Sequence, residues 1–184
     1  ISHLLQKSSL DQEEYVLYDI EKIRYKNTIY SGVKSEDFLT ENWQLITLER
    51  LFKNFTGESL YQSIYKISDH ENRLMFLVNQ VERMTGLKNF GIYMNKLLTI
   101  DALFLNEDRH MHNIAVLMNE KGEFAYCPIF DNGASLLADT RMDYPLGEDV
   151  FELIEQARAK TFSSDFEEQL DISEKLYGMN LKFR

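Results

Sequence analysis

The chain has 184 residues, 44% of them hydrophobic and 27% charged, and a formal net charge of −10. Such a composition belongs to an ordinary globular domain able to bury roughly 70% of the surface its unfolded form exposes, and the acidic balance argues against direct nucleic-acid binding, which calls for a basic face. The single cysteine, Cys127, cannot form an internal disulfide. A reducing, cytoplasmic compartment is therefore expected, and no run of about 18 apolar residues predicts a membrane span.

In chain order, the first residues, Ile1 to Leu5, read as the end of an amphipathic helix, with Ile1, Leu4 and Leu5 on one face. Together with the absence of an initial methionine, this suggests that native chain precedes Ile1. Tyr15-Val16-Leu17-Tyr18 is aromatic and β-branched and predicts strand. Ile23 and Tyr25 before Lys26-Asn27, then Ile29 and Val33 after it, predict a hairpin. Residues 1–37 are accordingly read as the remnant of a β-rich N-terminal lobe, and 38–184 as a helical lobe.

Trp43 to Phe55 carries Leu45, Ile46, Leu48 and Phe52 near helical spacing and predicts a helix, with a shorter one over Leu60, Ile64 and Ile67. Ser68-Asp69-His70-Glu71 is a capping box. It opens a helix whose Leu74, Leu77, Val78 and Val81 line one face, and Gly86 ends it. Phe90 to Leu105 is apolar on most sides, the mark of a central buried helix. The period then changes. Ile114–Leu117 and Phe124–Tyr126 predict two short strands around the turn Asn119-Glu120-Lys121-Gly122. Helices are predicted near Asp149–Lys160 and Asp165–Tyr177, the second with a capping box at Ser164 and Glu167.

The polar loop after the buried helix holds the chemistry. Asn106-Glu107-Asp108-Arg109-His110-Met111-His112-Asn113 sets an aspartate five residues before an asparagine, and Asp131-Asn132-Gly133 follows beyond the hairpin. Phosphoryl transfer from a nucleotide needs a carboxylate to orient the attacking hydroxyl, here Asp108. It also needs oxygen ligands for magnesium, here the neutral amide of Asn113 and the charged Asp131. Two protein ligands suffice, because Mg²⁺ completes its octahedron with phosphate oxygens and water. Gly133 is expected to supply backbone freedom just after the metal ligand.

Asp108-Arg109-His110 with Asn113, the preceding Asn106 and the approach Pro128-Ile129-Phe130-Asp131 resemble the HipA-like serine/threonine kinases. The resemblance covers Phe38 to the C-terminus. It implies an α+β, protein-kinase-like fold with a mainly helical C-terminal lobe, ATP and Mg²⁺ as cofactors, and a protein serine or threonine as acceptor. It implies Asp108 as catalytic base and Asn113 and Asp131 as metal ligands. Arg109 would position the loop, and His110 would pack beneath it as a brace. A toxin–antitoxin setting with an antitoxin partner is a further implication.

The sequence departs from that pattern in lacking a glycine-rich phosphate loop and a strand lysine placed for the phosphates. Lys22, Lys26 and Lys34 come too late in the chain, so weak or absent phosphotransfer is expected of these 184 residues by themselves. Two other readings stay open. One is a lipid or small-molecule kinase of the phosphoinositide-kinase type, against which the segment after Asp131 holds only Arg141 between Asp139 and Asp143. The other is a non-catalytic pseudokinase or interaction module. A zinc site at Asp108, His110 and His112 finds no third and fourth ligand cluster. Cys127 is expected to be a buried strand residue, and Ser135 and Thr140 are candidate phosphorylation sites.

Overall fold

A computed structural model describes all of residues 1–184. The chain opens with a one-turn helix α1 (Ser2–Leu5) and a 3-10 turn at Gln12–Glu14. Strands β1 (Asp19–Tyr25) and β2 (Thr28–Lys34) then form an antiparallel hairpin with Tyr25 opposite Thr28. The turn forms at Lys26-Asn27 as the sequence predicts, with Lys26 in the left-handed region. The preceding Tyr15–Tyr18 is not a regular strand. Tyr15 makes a single parallel bridge to Ile129, which ties the N-terminal segment to the approach to Asp131. Leu4 is exposed, whereas Ile1 and Leu5 reach the core.

The first correction falls on Trp43–Phe55. Trp43–Thr47 is strand β3, and only Leu48–Thr56 is helix, α2. Strand β3 pairs antiparallel with β4 (Ala115–Asn119), Thr47 opposite Ala115, and β4 pairs with β5 (Phe124–Tyr126). Thr47 then caps α2 by accepting from the Arg50 amide. A sheet of order β3-β4-β5 thus places the residues just after Asn113 in its central strand. A partner some seventy residues away decides this, and helical spacing of Leu45, Leu48 and Phe52 cannot show it.

The helices follow as α3 (Leu60–Tyr65), α4 (His70–Thr85), α5 (Phe90–Phe104), α6 (Val150–Gln156) and α7 (Phe166–Tyr177). Both expected capping boxes move by one residue. Asp69 caps α4 by accepting from Asn72, and Asp165 caps α7 by accepting from Glu168. A carboxylate next to the serine takes the helix N-terminus, where the dipole favours negative charge. Gly86 closes α4 in the left-handed conformation.

The core runs from Leu5 through α2, α4 and α5 to Ile114 and Ile129. Helix α5 lies at its centre, with Phe90, Met94, Leu97 and Ile100 fully buried, and α7 packs along it. Gly91 permits that approach, because a Cβ there would overlap the Tyr177 ring. Buried Asn95 adds a polar tie, donating to Ser173 Oγ at 3.0 Å and accepting from the Asn180 amide at 2.9 Å. The predicted C-terminal part of α6 is absent. The helix stops at Gln156, Ala157 is extended, and no helix continues through Lys160. No helix is long and apolar enough to cross a membrane.

Candidate active site

The site is built on the C-terminal end of α5. Leu105 turns left-handed, and the loop Asn106–Asn113 leaves the buried helix from there. Asp101 lies on the last turn of α5 at 1% exposure and organises the loop from below. Its carboxylate accepts from Asn106 Nδ2 at 2.8 Å and from Arg109 Nε at 2.9 Å and Nη2 at 3.0 Å. The sequence analysis does not single out Asp101. A carboxylate in an otherwise apolar helix, eight residues before an arginine in a polar loop, is the signal that was available.

Arg109 is the structural keystone of the loop. It is 2% exposed. Its Nη1 donates to the carbonyl of Asn113 at 3.0 Å and to that of Phe130 at 2.8 Å, and its Nη2 donates to Asn132 Oδ1 at 2.6 Å. One guanidinium therefore fastens the backbone at Asn113 to the residues on both sides of Asp131, through the Phe130 carbonyl and the Asn132 side chain. Burial works most strongly against its charge. Asp101, by charge and hydrogen bonds, overcomes that and holds the guanidinium above its ordinary range. The planar five-donor fork suits this junction, and lysine has no equivalent geometry.

Asp108 stands at the surface with about half of its side chain exposed. Its main-chain carbonyl accepts from Asn113 Nδ2 at 2.9 Å, which closes the loop across the five-residue interval. With Nδ2 turned inward, Asn113 Oδ1 takes part in no hydrogen bond within the chain. The Asp131 carboxylate also has no partner in the chain and is exposed. Both therefore present free oxygens, the donor chemistry that Mg²⁺ takes. Asp131 itself is left-handed, with φ 56°, and Gly133 is not. The expected backbone freedom at Gly133 is thus corrected to strain at Asp131, a conformation that non-glycine residues adopt where the surroundings impose it. Beside Asp131 a cavity of about 490 Å³ opens between α1, the β1–β2 hairpin and residues 130–133, with Tyr18 on its wall.

His110 departs from its expected place. It does not pack beneath the loop. It is partly exposed, with Nε2 3.7 Å from Asp108 Oδ2, and its ring meets His112 edge-on. Buried Arg109 takes the bracing role that was expected of the histidine. No group of three His, Cys, Asp or Glu side chains comes together as a metal site here. Cys127 is 1% exposed, and burial pushes its thiol up to about 12.

One residue that sequence reading passed over reaches the centre of the loop. Lys160 Nζ lies 2.8 Å from Asp108 Oδ1. The sequence placed Lys160 at the end of a helix, and only the extended path after Gln156 brings it back.

Among solved structures, the Helicobacter pylori proinflammatory kinase CtkA shares this architecture with a TM-score of 0.57 and 20% identity. The match covers 87% of this chain and 51% of that one. The fold is kinase-like. The chain spans about half the length of that kinase, so the likeness is to part of it. No protein-family model matches the kinase-like chain, and no curated protein matches it.

Proposed function

We propose that the chain carries the base-and-metal half of a protein kinase of the HipA-like type. It would transfer the γ-phosphate of ATP to a serine or threonine hydroxyl. The observation that carries this reading is the single buried guanidinium of Arg109, which spans the Asn113 and Phe130 carbonyls while the Asp108 carboxylate stands at the surface, paired there with Lys160. That arrangement holds two candidate metal-ligand segments in fixed relation to a candidate base, the preorganisation phosphoryl transfer needs.

In this reading Asn113 and Asp131 would hold Mg²⁺, and the ion would neutralise charge on the nucleotide phosphates. Asp108 orients the acceptor hydroxyl and takes its proton as the oxygen bonds to phosphorus. Arg109 and Asp101 keep the loop rigid without touching substrate. A protein acceptor is favoured over an anionic lipid by the segment after Asp131. Met142, Leu146 and Phe151 are exposed there by 82%, 86% and 74%, beside the acidic Asp139 and Asp143. An apolar, acidic surface suits a polypeptide better than a phosphorylated headgroup.

The test uses the full-length protein. Mg²⁺·ATP at 100 times its dissociation constant should stabilise it by about 2.7 kcal/mol. Asp108→Asn and Asp131→Asn should each abolish phosphate transfer while the unfolding midpoint without nucleotide stays close to wild type. Full activity in either variant would remove these roles.

A further inference from the structure

The loop's own cation cannot reach the reaction. Arg109 is buried beneath the loop with all its reach spent on Asp101, Asn132 and two carbonyls. The guanidinium of Arg158 is spent on the carbonyls of Glu155 and Ala157. Lys160 differs from both. Its ammonium stands at the surface, 2.8 Å from Asp108 Oδ1.

Its position is imposed from several points. Ala157, Ala159 and Thr161 are buried, while Arg158 and Lys160 point outward, the alternation of an extended segment. The Arg158 amide donates to Glu107 Oε1 at 2.9 Å, and the Thr161 hydroxyl donates to the Arg109 carbonyl. The Ala159 amide donates to the Ser164 carbonyl at 3.0 Å. Tyr144 also bonds Glu107. The segment is therefore stitched to both ends of Glu107-Asp108-Arg109, and Lys160 lies between the stitches. An exposed ion pair in that place contributes little to stability. Its geometry needs another account.

Resting on the kinase reading above, we propose that Lys160 is a further catalytic residue, which contacts the γ-phosphoryl oxygens of bound ATP during transfer. The acceptor hydroxyl must sit on Asp108, and the phosphorus must lie in line behind it. A lysine that already touches Asp108 Oδ1 is within side-chain reach of the equatorial phosphoryl oxygens, and Oδ2, whose neighbour His110 Nε2 at 3.7 Å is too far to bond it, is left for the hydroxyl. In the step, the acceptor oxygen bonds to the γ-phosphorus and the bond to the β,γ-bridging oxygen breaks. The hydroxyl proton passes to Asp108, and ADP leaves. Lys160 supplies charge and takes no proton. It stabilises the negative charge spread over the three transferring oxygens, where fixed cations act most strongly.

The experiment compares full-length wild type, Lys160→Met, Lys160→Arg and Asp108→Asn, with Lys121→Met in the β4–β5 turn as a control. Phosphate transfer gives kcat, and equilibrium binding gives affinities for the β,γ-imido analogue of ATP and for ADP, both with Mg²⁺. Lys160→Met should lower kcat about 100-fold. It should weaken the imido analogue while ADP affinity and the unfolding midpoint stay unchanged. Lys160→Arg should recover part of both losses, and Lys121→Met should match wild type. A Lys160→Met kcat within twofold of wild type would overturn the proposal. A lower kcat with the ratio of imido-analogue to ADP affinity untouched would make Lys160 only a brace for Asp108, and would overturn the phosphoryl contact. Wild type without phosphate transfer, or Asp108→Asn with full activity, would bring down the kinase reading itself, and the role of Lys160 with it.

Discussion

At the scale of single residues, the site depends on a buried charge pair that never meets substrate. Asp101 and Arg109 are each about 2% exposed in their side chains. Removing one leaves the other charged, buried and unpaired. Arg109→Met should therefore destabilise the fold by about 3–5 kcal/mol, as read by urea denaturation. Arg109→Lys keeps the charge but loses the fork, and should fall between Met and wild type. A loss below about 1 kcal/mol for Arg109→Met would mean that the loop stands without its clamp. Tyr93 is the opposite case. Its hydroxyl is buried with no partner in the chain, although its ring stacks on Phe90. Tyr93→Phe removes that hydroxyl and keeps the ring, so stability should be unchanged or rise by up to about 1 kcal/mol.

At the scale of elements, close approach between α5 and α7 rests on a missing side chain. In an exposed helix, Gly→Ala gains about 1 kcal/mol of propensity. At Gly91 the added methyl meets the Tyr177 ring, and the aromatic side chain or the whole of α7 must shift. Gly91→Ala should thus destabilise by about 1–3 kcal/mol in thermal or denaturant unfolding. In a Tyr177→Ala background the same change should be neutral or stabilising, because only the propensity gain remains. A loss of the same size in both backgrounds would place the cost elsewhere than in the helix contact. The same scale explains the misplaced elements. Ser68 and Ser164 are good caps, but each is followed by an aspartate that caps more strongly at a helix dipole. Trp43–Thr47 has the residues of either element, and pairing with β4 makes it strand.

At the scale of the whole molecule, several weakly acidic groups are neutral, with Cys127 and Tyr93 buried and Tyr177 half-buried. Burial pushes Cys127 and Tyr177 up to about 12, and pushes Tyr93 up as well. In the unfolded chain these groups ionise from about pH 9 to 10 upward, while in the folded protein they stay protonated. A raised folded value means that their contribution is fully present below the unfolded pKa and is lost as pH rises through the folded one. Stability should therefore be flat from about pH 7 to about pH 8 and fall from about pH 9. Each such group adds a slope of at most about 1.4 kcal/mol per pH unit, and the partly exposed Tyr177 adds less. Denaturant midpoints between pH 7 and 11 check this, and a midpoint constant to pH 11 would contradict it. Cys127 should also resist thiol reagents at pH 8 until the protein unfolds.

Much of this protein is local and could be read from residues in order. The β1–β2 hairpin is legible from its turn, α4 from one apolar stripe and a terminal glycine, and α5 from being apolar on nearly every side. The spacing of Asp108, Asn113 and Asp131 marks a candidate phosphoryl-transfer site for a similar reason, since chemistry demands those groups in that order. Other features depend on contacts between distant segments, which no local pattern encodes. Tertiary structure alone pairs β3 with β4 and sinks Arg109 onto Asp101 while leaving His110 at the surface. It also puts the left-handed backbone at Asp131, where freedom was expected at Gly133. Ending α6 at Gln156 likewise depends on partners fifty residues away, Glu107 and the Arg109 carbonyl, which draw the next residues out as an extended strap. That strap sets Lys160 against Asp108.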